Sequence, residues 1–133
     1  MYLIGRIMTV RGILFLSSLT MLILGLTFLF FPDFISKKIF PQAIENEIRI
    51  ATIHRELMGG GSLFISILLM LAHRNVTSAA KRILFGTSIG FYIIILIQLK
   101  QMIFEKNDIF FPVFILFLIL ATLSLYVSYF KKN

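Results

Sequence analysis

The chain has 133 residues, of which 59% are hydrophobic and only 14% charged. Ordinary soluble domains are about 45–50% apolar and about 25% charged, so this composition excludes both a water-soluble globular domain and a disordered chain. Thirteen Lys and Arg against six Asp and Glu leave a formal charge of +7; with the cations flanking apolar runs, the partner they fit is anionic lipid headgroups, not nucleic acid.

Taken in order, the first element is a run of twenty uncharged residues from Gly12 to Phe31. At about 1.5 Å per residue it covers about 30 Å, the thickness of a bilayer's hydrocarbon. It is too long for a cleavable leader, and Phe31-Pro32-Asp33 stands where small residues would precede a cut. Pro32 ends this span, and Pro41 is expected to open the next helix. Ile44, Ile48 and Ala51 recur at helical spacing among Glu45, Glu47 and Arg49, so residues 42–53 read as an amphipathic lead-in to a second span over about 53–73. The third and fourth spans cover about 83–100 and 109–130, joined by polar links at 73–82 and 100–108, with Asp108 placed to cap the last helix. In oil each span must satisfy its own backbone, and the runs lack the alternating polarity of barrel strands. The expected fold is therefore all-α: one transmembrane domain, an integral membrane four-helix bundle.

Four crossings place both termini on one side. That side collects Arg6, Arg11, Arg74, Lys81, Arg82, Lys131 and Lys132, seven cations and no acid; the other holds six cations and all six acids. The positive-inside rule counts Lys and Arg, and seven against six favours the side of the termini only narrowly; the segregation of the acids supports the same side, so both termini are expected in the cytoplasm of a cell-membrane protein.

Small residues mark close helix contacts in lipid. Span one carries Ser18 and Gly25, seven apart; span two Gly59, Ser62 and Ser66; span three the Gly86 and Gly90 pair; span four Ala121, Ser124 and Ser128. These are the expected packing residues. The glycine pair has two readings, a contact inside the chain or a seam with a second copy. Gly59-Gly60-Gly61 lacks the Lys and Ser or Thr of a phosphate loop; it reads as a close helix contact or as a local kink.

The polar candidates gather at the outer end of span two. Counting twenty residues back from Ala72 reaches position 53, so His54, Arg55 and Glu56 fall at the edge of the hydrocarbon, where ionisable groups are functional candidates. Gln98, Lys100 and Gln101 end span three on the same side, and Glu56 is expected to pair with Lys100 or the two glutamines. Together these six residues form the expected ligand site; the bland alternative leaves the trio in the headgroups with Arg55 reaching for water. His54 and His73 are nineteen residues apart, about 28 Å along one helix, too far to share a haem. With no Cys and no His pair at ligand spacing, no metal, cofactor or catalytic residue is expected, and span centres free of ionisable groups argue against a proton relay.

Asn46-Glu47-Ile48-Arg49 leading into Arg55-Glu56-Leu57-Met58-Gly59-Gly60, within a chain of this length and four spans, resembles the small DoxX-like bacterial membrane proteins. The resemblance implies a four-helix membrane protein and, as in some members, a membrane subunit of a quinone-linked oxidoreductase. It carries over no catalytic residue; Arg55, Glu56, Gly59 and Gly60 are the positions that match. The expected function is a non-catalytic accessory or anchoring subunit of a larger membrane complex or a homo-oligomer, the alternative a protein that binds or transports a lipid- or quinone-like molecule.

Overall fold

The computed structural model describes residues 9–104 and 111–130. Five helices occupy them: α1 (Val10–Phe30), α2 (Pro32–Ile39), α3 (Glu45–His73), α4 (Thr77–Ile103) and α5 (Phe111–Phe130). No strand occurs among the described residues. The four helices α1, α3, α4 and α5 are each long and apolar enough to cross a membrane. Asp108, expected as a helix cap, lies outside the described residues.

Two helix boundaries differ from expectation. Pro32 does end α1, but it also starts α2 from the first-turn position where its missing N–H costs nothing. Asp33 and Lys37 then pair across one turn at 2.7 Å. Pro41 does not open the next helix; it lies in a turn with Gln42. Helix α3 begins at Glu45 instead, where the Ile44 N–H donates to the Glu47 carboxylate at 3.1 Å. That is half of a capping box, and Glu45 and Glu47 both favour the positive end of the helix dipole. The lead-in is thus the first two turns of α3. Helix α4 likewise starts earlier than its apolar run, at Thr77.

The chain divides into two compact units. Residues 18–68 form one. Its core is a close approach of α1 to α3. Ser18 Oγ donates to the Ser66 carbonyl at 3.0 Å, and Ser66 Oγ returns a bond to the Ser18 carbonyl at 2.8 Å. Two turns along, a Cβ on Gly59 would stand 3.0 Å from the Gly25 carbonyl oxygen. Only glycine permits backbones this near, and short hydroxyls can reach across only because they are. Gly59-Gly60-Gly61 stays helical without a break, so no unwound turn exists there.

The other unit comprises the start of α1 and everything from residue 69 onward. The Thr9 hydroxyl caps α1 by accepting the Gly12 N–H at 3.0 Å. Helices α4 and α5 pack against each other through Phe91 and Phe117, whose ring centres are 5.4 Å apart. The buried face of α4 is Ala80, Leu84, Ser88, Phe91 and Ile95; that of α5 is Phe117, Leu120, Ala121, Ser124 and Val127. Ser124 is buried, whereas Ser128 is partly exposed and its hydroxyl donates to the Leu125 carbonyl of its own helix.

Gly86 and Gly90 carry two readings, a contact inside the chain or a seam with a second copy. Both are exposed, and a Cβ on either would meet nothing within 4 Å. Among the described residues nothing fills the space beside them: the α4 face they share is a half-turn from the face of Leu84, Ser88 and Phe91.

Candidate functional site

Successive residues on a helix point about 100° apart, and this separates the polar trio of α3. His54 is exposed, its Nδ1 2.9 Å from the Ile50 carbonyl of its own helix. Glu56 is exposed; it belongs to the unit of residues 18–68, and Gln98, Lys100 and Gln101 belong to the other. Arg55 alone turns inward, onto the face of α3 that carries Ile48, Thr52 and Gly59 at steps of four, three and four.

Arg55 is held from two sides. Its Nε–H donates to Ser36 Oγ at 2.9 Å, and its guanidinium carbon lies 5.8 Å from the centre of the Phe28 ring. Ser36 is fully buried on α2 and its own O–H is used: it donates to the Pro32 carbonyl at 2.8 Å. The serine oxygen is therefore fixed with a lone pair toward arginine. Ring face and cation attract through the ring's quadrupole. Neither partner supplies negative charge, and no carboxylate pairs with Arg55 among the described residues.

The same two helices wall an open groove of about 600 Å3, between α2, the turn after it and the first turns of α3; Arg55, Ser36 and Phe28 are not among its lining residues. Its rim has two acids, Asp33 and Glu45, and two cations, Lys37 and Arg49; Phe40, Ile48 and Ile53 give it an apolar lining. The hydrogen bond and charge of Asp33 hold the Lys37 ammonium above its ordinary value. Thr52 lies on the wall with its hydroxyl buried and without a hydrogen-bond partner among the described residues. Phe30, Phe31 and Phe34 project outward around α2.

The remaining expected site residues lie on α4. The Gln98 carbonyl oxygen is buried without a hydrogen-bond partner among the described residues, Gln101 is partly buried and Lys100 exposed. His73 sits at the far end of α3, its Nδ1 3.2 Å from the Arg11 carbonyl and its ring 5.9 Å from Phe15. Since α3 is one continuous helix, the two histidines stay about 28 Å apart. Among the described residues no three His, Asp or Glu side chains converge to hold a metal ion.

Ser36 and Phe28 were not expected here. Ser36 is the lone hydroxyl between Phe28 and Ala51, and the Pro32, Asp33 and Lys37 spacing of a short helix was the signal that could have placed it. No protein-family model, no curated protein and no solved structure matches the chain.

Proposed function

We propose that this chain is a non-catalytic four-helix bundle of the cell membrane that seats an amphiphilic, lipid- or quinone-like molecule at the Glu45 end of α3. The observation that carries the reading is Arg55: a permanent cation turned to the interior face of α3, positioned by Ser36 and Phe28, with no counter-ion among the described residues. The apolar-lined groove between α2 and the first turns of α3, the helices that carry Ser36 and Arg55, supports it as room for the rest of such a molecule. Purification in mild detergent with mass spectrometry of what is retained tests it. A monodisperse protein carrying an amphiphile in stoichiometric amount supports the reading; a protein that retains none once excess detergent is removed contradicts it.

A second reading is favoured by a different observation. Gly86 and Gly90 leave an open strip on α4, and in oil such a strip lets another helix approach closely. It suits an accessory subunit of a larger membrane complex, or a homo-oligomer, in line with the resemblance to DoxX-like proteins. A stoichiometric protein partner in the same purification, lost in Gly86→Leu, would support this second reading; association unchanged by Gly86→Leu would oppose it.

A further inference from the structure

We infer that the group seated on Arg55 is the phosphate of a membrane phospholipid. The inference rests on the amphiphile reading above and narrows it to one chemistry. Arginine stays charged at every accessible pH and offers five N–H donors in a planar fork. Ser36 takes the Nε–H, which blocks the side-on approach. The two terminal nitrogens have no acceptor among the described residues. They present parallel N–H bonds end-on, a geometry that matches two oxygens of one phosphate.

Charge decides between a phosphate and a neutral head. Drawing a cation partly out of water without a counter-ion is costly. A quinone carbonyl could accept one of the N–H bonds but would leave the charge standing. A phosphate accepts the bonds and neutralises the cation. Depth agrees: twenty residues back from Ala72 reach position 53, so Arg55 lies where hydrocarbon gives way to headgroups. The groove rim, with two acids and two cations, has no net charge. Recognition therefore follows the phosphate itself and not the net charge of the head.

The test uses the whole chain, delipidated in detergent and examined by native mass spectrometry with one added probe at a time: phosphatidylethanolamine, phosphatidylglycerol, diacylglycerol of the same acyl chains, or a short-tailed ubiquinone. One molecule of either phospholipid per chain should be retained, the two with affinities within about threefold. Diacylglycerol and the quinone should bind about ten- to a hundredfold more weakly, the worth of charge-assisted hydrogen bonds. Arg55→Gln should erase that preference, Arg55→Lys should keep part of it, and Glu56→Gln on the exposed neighbouring position should leave it intact. Equal retention of phospholipid and diacylglycerol would overturn the phosphate assignment while leaving an amphiphile site standing. Retention of none of the four would overturn both. Displacement of phospholipid by millimolar inorganic phosphate would assign the site to free phosphate instead of lipid. Should Arg55→Gln lose its helical circular dichroism, the wild-type comparison of phospholipid with diacylglycerol decides alone.

Discussion

Three consecutive glycines on α3 should respond in opposite senses to the same substitution. A Cβ on Gly59 would stand 3.0 Å from the Gly25 carbonyl oxygen and 3.1 Å from the Leu29 nitrogen, where ordinary contact starts at 3.4 Å. Both of these atoms belong to the backbone of α1, which cannot turn aside as a side chain can. Forcing a methyl group into a packed contact costs about 1–3 kcal/mol. The alanine also gains about 1 kcal/mol over glycine from its better helix propensity, so Gly59→Ala should come out destabilising by about 0–2 kcal/mol. At Gly60 and Gly61 a Cβ would meet nothing within 4 Å. There the propensity gain stands alone, and Gly60→Ala should be neutral or stabilising by up to about 1 kcal/mol. The difference between the two variants isolates the clash, since the propensity gain is common to both. Equilibrium unfolding in mixed micelles, followed by far-ultraviolet circular dichroism, measures it. If Gly59→Ala proves as stable as Gly60→Ala, the close approach of α1 to α3 at Gly25 is refuted.

Two further expectations follow from contacts of the same unit. Ser18→Ala and Ser66→Ala should be coupled, with a double-mutant cycle returning about 0.6–1.7 kcal/mol, the range for polar contacts between helices in lipid; purely additive effects would deny the reciprocal bonds. Lys37 is fully exposed, so Lys37→Ala should leave stability at neutral pH unchanged within error. Because Asp33 raises the folded-state value of Lys37 above the ordinary 10.5, whatever the pair contributes is complete below that value and fades as pH rises through the elevated one. A loss of stability on acidification from pH 9 to pH 7 that Lys37→Ala abolishes would reverse that sign.

The apolar helices were legible in the sequence because length and hydropathy alone decide whether a helix can cross oil. What periodicity could not say is which side of a helix is covered. Gly59 and Gly60 are the same residue type one position apart, yet one meets α1 and the other meets nothing. Gly86 and Gly90 have the spacing of a packing motif and face outward, because Leu84, Ser88 and Phe91 already fill the interior side of α4. The trio at 54–56 met the same limit: all three residues are ionisable, and only the 100° step between them determines that Arg55 goes in and Glu56 out. Arg55 was legible as a candidate. Its partners were not, since α2 follows α1 after a single residue and its Pro32 reads as a stop before it reads as a start.

The most direct test of the account asks whether α3 crosses a membrane. The chain has no cysteine, so single-cysteine variants at Gln42, in the exposed turn before α3, and at Ser78, exposed just after it, report cleanly. A membrane-impermeant thiol reagent applied to intact cells should label Gln42→Cys at once and Ser78→Cys only after permeabilisation. Labelling of both positions from the same side would mean that α3 does not cross, and the site at Arg55 would lose its place at the edge of the hydrocarbon.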